Sequence, residues 1–338
     1  MKIGFLYQFH DVAGMEREFS HMRENGTPIH GIQVSRVLSY NMDVGQLDFQ
    51  YCMKNPQVRQ GLERLKDACA DFDVIISYGT LQIHPDFIAR EFADKPFIFW
   101  CGDDPISSVI HTLPYLGVAD HVFCQSPCYL DGEPMVDWLR KMGARKATYV
   151  PQGYFESWKR GLSNDGILSH ARDIEISFVG SPAWRRDLLL GVKRRYGARL
   201  KIYSNSWHSL RSVAYDALKG GVLQVVRPAK DESEIYFRSW LSINSNGGSG
   251  PSTARTFHVP ICGALELCDF PEGLKYIFDL DRHVLPYEFL SVSSLCSAID
   301  YALSNKAELD ERRRAGFWHV NDNYRFAHVL AKTLKKIL

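Results

Sequence analysis

No two of the eight cysteines stand at the two-residue spacing of a zinc knuckle. The closest pair, Cys124 and Cys128, encloses Pro127 and has no histidine at ligand spacing, and Cys52, Cys69, Cys101, Cys262, Cys268 and Cys296 are scattered through apolar patterns. Cysteine-bound metal is therefore disfavoured, and free thiols in a reducing cytosol are expected. The chain lacks any apolar run near the ~20 residues that span a bilayer. Its first residues, MKIGFLYQFHD, read as a strand without the apolar core and cleavage site of a signal peptide. A cytoplasmic protein without a membrane span is the expectation. Charge of one sign is missing as well: 40 basic residues face 39 acidic ones, a net charge of +1. Nothing global draws such a chain to nucleic acid or to an anionic membrane. Neither half opens with strand-GxGxxG-helix, which disfavours a dinucleotide cofactor and redox chemistry.

What is present is a long, well-packed α/β pattern. At 338 residues, 45% hydrophobic and 12% aromatic, the chain exceeds one ordinary core and implies two domains. Short solid apolar runs alternate with helical spacing, the signature of parallel sheets covered on both faces. The first half reads as strand Lys2–Tyr7 and helix Met15–Glu24, then a strand near Ile32–Val37 and helix Val58–Ala70. Strands Asp73–Tyr78, Pro96–Cys101, His121–Gln125 and Lys146–Val150 follow, with helices Pro85–Phe92, Ile106–Leu113 and Met135–Met142 between them. Residues 156–173 are polar and rich in glycine, serine and asparagine, and read as a linker. The alternation then restarts with strand Ile174–Gly180, helix Arg185–Tyr196, strand Arg199–Tyr203, helix Leu210–Leu218, strand Leu223–Val226 and helix Glu232–Trp240, and after the stretch Ser242–Phe270 with strand His283–Tyr287 and helix Val292–Ser304. A terminal helix with Phe326, Val329, Leu330 and Leu334 on one stripe closes the chain. The expected architecture is two Rossmann-like, doubly wound domains, 1–155 and 174–322, facing a cleft, with 323–338 as the terminal helix.

The most informative stretch runs from Ser242 to Phe270. It reads as a buried strand Leu241–Asn246, a loop with Gly247, Gly248 and Gly250, a helix from about Ser252, and a strand Ala264–Cys268. Glycines let a ligand approach the backbone, and Ser252 or Thr253 can cap the helix and leave its first amides facing the loop. Such a bend favours an anion, but the dipole supplies only ~0.3–1 kcal/mol at an exposed helix end, whereas micromolar affinity needs about 8 kcal/mol. Arg255, in the first turn, is the nearest further contributor; the plain alternative is a capped glycine turn with Arg255 in solvent.

Ser177-Phe178-Val179-Gly180-Ser181 followed by Arg185, Ser242-Ile243-Asn244, Gly250-Pro251-Ser252-Thr253 with Arg255-Thr256-Phe257, then Pro260, Cys262-Gly263, His319 and Tyr324-Arg325 form a pattern. It resembles the glycosyltransferases of GT-B architecture, and more narrowly the CgeB-like group. The likeness extends weakly into the first half through Trp100-Cys101-Gly102-Asp103-Asp104-Pro105 and Val150-Pro151-Gln152-Gly153. It implies a nucleotide-sugar donor, expected to be a UDP-sugar, on the C-terminal domain, and an acceptor on the N-terminal domain, with the terminal helix returning to the latter. No cofactor and no metal are implied, because amides and basic side chains meet the charge of the leaving diphosphate. Many retaining relatives carry two glutamates eight positions apart, the second on the ribose; Gly250 and His258 stand at those places. His258 is then a ribose contact of altered chemistry, one donor and one acceptor in place of a carboxylate's acceptors.

The remaining candidates follow from position. Arg185 can reach a diphosphate, Trp207 can stack on a base, and Asp269, just past the second strand, ranks above Glu266 as a sugar contact. His10, Asp11 and Asp103 are candidate acceptor-side catalytic groups, with Asp104, His84 and Asp86 competing for the same role. The donor site is thus assigned to Arg185, Trp207, Gly248, Gly250, Ser252, Thr253, Arg255, His258 and Asp269. The acceptor is left open between glycan, protein and small molecule. The basic run Arg312-Arg313-Arg314 raises a polynucleotide acceptor, which the near-zero net charge disfavours. An epimerase of the same architecture and a noncatalytic binding or assembly protein are the alternatives.

Overall fold

The computed structural model describes all residues except 9–10, 41, 46, 80–81, 102–111, 130–131, 205–224, 227–231, 247–252 and 270. The described residues divide into two compact units, 1–155 with 326–338, and 156–246 with 253–325.

Unit 1 is built on a six-stranded parallel sheet: β1 (Ile3–Tyr7), β2 (Ile29–Gln33), β3 (Val74–Tyr78), β4 (Phe97–Cys101), β5 (His121–Cys124) and β6 (Ala147–Tyr149), in the order β2-β1-β3-β4-β5-β6. Every residue of β1, β3 and β4 is buried, because helices on both faces leave no solvent side to the sheet. The helix Phe326–Ile337 belongs to this unit. Its Phe326 ring stacks on Trp100 at 5.9 Å and meets Phe5 edge-on at 6.1 Å, and its backbone N–H donates to Tyr154 O at 2.8 Å.

Unit 2 carries a second parallel sheet of six strands: β7 (Ile174–Val179), β8 (Leu200–Tyr203), β9 (Val225–Val226), β10 (Ser239–Asn244), β11 (Leu265–Cys268) and β12 (Leu285–Pro286), in the order β12-β11-β10-β7-β8-β9. Chain order reverses between β7 and β10. A crevice opens at such a point, outside the carboxyl ends of the strands. In unit 1 the reversal falls between β1 and β3.

The structure departs from the sequence reading in several places. The strand placed at Ile32–Val37 ends at Gln33, and Val34–Leu38 is helical, its two buried residues Val34 and Leu38 four apart as on a helix face. The helix read through Trp240 ends at Phe237, and β10 starts at Ser239. Residues 156–173 are no free linker but a folded part of unit 2. The short helix Asn164–Leu168 buries Ile167 and Leu168, and Arg172 donates to the carbonyls of Ile167, Tyr236, Phe237 and Ser239. The longest helix among the described residues, Lys306–Asn323, is absent from the sequence reading, since Arg313 and Gly316 sit among its buried residues and blur its apolar stripe. The basic run lies on it and is used internally. Arg312 pairs with Glu308, Arg314 with Asp310, and buried Arg313 with Asp310 while also donating to Leu168 O. The expected helix Leu210–Leu218 and most of Ile106–Leu113 lie outside the described residues. All eight cysteines are buried and free, and no helix among the described residues is long and apolar enough to cross a membrane.

Candidate functional site

The reversal point of unit 2 gathers two arginines on backbone carbonyls. β7 ends at Val179, whose carbonyl accepts from Arg255 Nη1 at 2.9 Å. Gly180 follows at φ +140°, and a Cβ there would stand 2.8 Å from that same Nη1. Glycine is required on both counts, by the backbone angle and by the space the guanidinium takes. The chain then turns through Ala183–Arg185 into the helix Arg186–Tyr196. Arg185 comes back over the edge of the sheet, its Nε donating to Ser245 O at 2.6 Å and its Nη1 to Ser181 O at 3.1 Å. Among the described residues, neither Arg185 nor Arg255 forms an ion pair with a carboxylate. The Arg185 guanidinium is held down to about 10, first by burial and then by the neighbouring Arg255 charge, with Asp269 and Tyr287 opposing. Two cations held near one another on neutral acceptors repel, and an anion between them would relieve that repulsion.

The loop that the sequence marks as phosphate-binding is secured at both ends. Asn246 N and Ser245 Oγ donate to the two oxygens of buried Asp269 at 2.9 and 2.8 Å. Thr253 takes the capping position of the helix Ala254–Ile261 in an extended conformation, and its N–H donates to Thr256 Oγ1 at 3.2 Å. Its hydroxyl donates to Asn246 Oδ1 at 2.9 Å, so the residue before the loop is latched to the residue after it. Thr253, Arg255, Arg185 and Asp269 are thereby brought together. Asp269 spends its carboxylate on shaping the loop entrance. Gly248, Gly250, Ser252 and Trp207 lie outside the described residues.

His258 faces a different neighbourhood. It is buried, stacked on Trp158 at 4.2 Å and edge-on to Tyr236 at 5.0 Å, with Nε2 2.8 Å from Ser233 Oγ. Burial, and secondarily the Arg255 charge, push it down to about 3, so the ring is neutral. Glu232 Oε2 stands 3.9 Å from its Nδ1, on a side chain that is half exposed. Burial raises the Glu232 carboxyl while Arg255 opposes; the exposed half moderates that effect. Glu266 is fully buried in β11 and accepts from Asn244 Nδ2 at 2.6 Å, and burial lifts it to about 8. Burial thus favours its protonated form. Sequence reasoning missed Glu232, Ser245 and Asn246, whose only signal is their place at the carboxyl edge of β10 and at the start of the helix Glu232–Phe237.

In unit 1, His10, Asp103 and Asp104 lie outside the described residues. Asp11 caps the helix Val12–Glu24, accepting from Gly14 N at 2.8 Å. His84 caps the helix Pro85–Glu91: its Nδ1 accepts from Asp86 N at 3.0 Å, which leaves Nε2 to donate to Leu47 O at 2.9 Å. Both of its ring nitrogens are therefore in structural use. Asp86 is exposed in the first turn of that helix.

Residues 185–335 match the family model described as glycosyl transferase-like. No curated protein sequence matches the chain significantly. Among solved structures, the chain is similar to Anabaena HepE in complex with UDP and glucose, with 10% identity, a TM-score of 0.62 and 100% of each chain covered. It is similar to sucrose-phosphate synthase from Thermosynechococcus elongatus, with 10% identity, a TM-score of 0.66, and 100% of this chain and 98% of that one covered. It is also similar to a putative UDP-N-acetylglucosamine 2-epimerase from Listeria monocytogenes, with 12% identity, a TM-score of 0.55, and 100% and 97% covered. Identities this low speak for the fold alone. The fold is thus a pair of Rossmann-like domains like those of GT-B glycosyltransferase structures, and what residues 185–335 share with the glycosyl transferase-like family is a match to its model.

Proposed function

We propose that the protein transfers a sugar from a nucleotide-diphosphate sugar, a UDP-sugar first, to the hydroxyl of a glycan, protein or small-molecule acceptor. The observation that carries this reading is the pair of guanidiniums at the reversal point of unit 2, both tied to neutral carbonyls near the Thr253–Asn246 hydrogen bond. Breaking the anomeric C–O bond leaves its electron pair on the diphosphate oxygen, and preorganised cations stabilise that growing charge without rearranging. Arginine presents paired N–H groups that suit phosphate oxygens, so we assign to Arg185 and Arg255 the work a divalent cation does elsewhere. The half-exposed Glu232 and neutral His258 are the groups we assign to the donor's ribose. For the acceptor's proton we propose His10 or Asp103, each following a strand of unit 1 at its carboxyl end, with Asp11 shaping that loop. The motifs in 177–263 favour the CgeB-like group within the architecture.

Titration calorimetry with UDP, GDP, ADP and dTDP, with and without EDTA, tests the donor site. UDP is expected to bind in the presence of EDTA, and at 100 times its dissociation constant to add ~2.7 kcal/mol to stability. Binding of no nucleotide would favour an assembly role. Conversion of a UDP-sugar without acceptor would favour the epimerase reading, for which the fold likeness to the putative 2-epimerase is the support.

A further inference from the structure

The donor pocket has a neighbour that the diphosphate does not use. Right-handed crossovers place the helix Arg186–Tyr196 on one face of the second sheet and the helices Glu232–Phe237 and Ala254–Ile261 on the other. The helix Val292–Ser304 joins the first face, since Gly191 lies so close to Val292 that a Cβ there would sit 2.6 Å from its methyl. At the amino ends of these two adjoining helices stand Trp184 and Phe289. Their rings are 6.0 Å apart and tilted by 48°, and both side chains are 45% exposed, with Leu290 beside them at 41%. Leu290 takes φ 55°, a left-handed conformation that a branched side chain adopts only under constraint. The constraint is visible: Ser291 N donates to Glu288 O at 3.0 Å, and Glu288 N to Ser294 Oγ at 3.0 Å. This turn holds two large apolar side chains out of the core, at the carboxyl edge of the sheet.

Arg185 fixes the distance from this pair to the pocket, for its guanidinium lies 4.0 Å from the centre of the Trp184 ring. Resting on the proposed donor site, we infer that Trp184 and Phe289 form a stacking platform for the apolar face of the donor's sugar ring. In a nucleotide-sugar the pyranose is bonded directly to the phosphate, so a ring beside the phosphate's cation is within its reach. The base stands a ribose further off. A pyranose presents C–H groups on one face, and these meet the negative face of an aromatic ring as its quadrupole favours.

The test compares affinities for UDP with those for UDP-glucose, UDP-galactose and UDP-N-acetylglucosamine, by calorimetry on the full chain. Trp184→Ala and Phe289→Ala change half-exposed side chains and are expected to leave the melting temperature nearly unchanged. Trp184→Ala is expected to weaken the best-bound UDP-sugar by roughly three- to tenfold relative to UDP. Phe289→Ala should have a smaller effect of the same kind, and Trp184→Phe should restore part of the loss. Equal weakening of UDP and UDP-sugar would mean that Trp184 only steadies Arg185 and would overturn the platform, as would binding of UDP with none of the three sugars. If the unaltered protein fails to bind UDP, the donor site itself falls, a result distinct from either.

Discussion

The two units share a sheet architecture and differ at the point where each reverses its strand order. In unit 2 that edge gathers Arg185 and Arg255 on backbone carbonyls. In unit 1 the described part of the edge instead carries a chain of side-chain hydrogen bonds: Gln8 donates to Gln82, Gln82 donates to Asp43 at 3.4 Å, and Tyr40 donates to Gln82 O at 2.7 Å. Under the proposed function the first edge would meet the donor's anion and the second the acceptor. A common fold thus says little about chemistry, which resides in the few side chains placed at its crevices.

Arg255→Ala should break the comparison most sharply. Loss of a charge-assisted contact of about 1.5–3 kcal/mol is expected to lower UDP affinity by roughly ten- to a hundredfold, whereas Gln82→Ala, at the other edge, should leave UDP calorimetry unchanged. Equal losses would show that the two edges are not specialised. Gly180→Ala comes next. A Cβ at φ +140° costs on the order of 1–3 kcal/mol of backbone strain and pushes on Arg255, so stability in urea and UDP affinity should fall together. Alanine at Gly79, which has φ +59° but no neighbour within 4 Å of its added Cβ, should lower stability and spare UDP binding.

Legibility in the sequence followed the same division. β1, β3 and β4 were readable because burial on both faces gives solid apolar runs, and Val292–Ser304 because its apolar spacing is regular. Lys306–Asn323 was not, because buried Arg313 finds its partners in Leu168 O and Gly263 O, carbonyls that no sequence advertises. The same limit held at the site. Arg185 and Arg255 stood out beside glycines and a helix start, but the carbonyls that aim them are anonymous in a sequence. Trp158, which covers His258, is distant in the chain and came from a stretch that reads as linker.

Two further effects would sharpen the picture of unit 2. Asp269→Asn keeps the size of a side chain that accepts from Ser245 and Asn246 but removes the charge on the acceptor. A loss of about 1 kcal/mol in urea titration is expected, with weaker UDP binding as the loop entrance loosens. The other effect is one of pH. The Glu266 carboxyl gives up its proton near its ordinary 4.5 in an unfolded chain but holds it to about 8 in the fold. The folded state carries the extra proton between those values, so this residue's contribution declines as pH rises through that window. Melting temperatures from about pH 5 to about pH 8 should therefore fall more steeply in the natural protein than in Glu266→Gln. Parallel curves would mean that Glu266 is ionised in the fold.

The hydrogen bond from Thr253 to Asn246 bears on evolution as well as on binding. Because it clips together the two ends of the glycine-rich segment, the entropy of drawing them close is settled when the chain folds rather than when the nucleotide arrives. Under the proposed function, substitutions between these two residues would leave that closure in place, whereas loss of Thr253 or Asn246 would remove it.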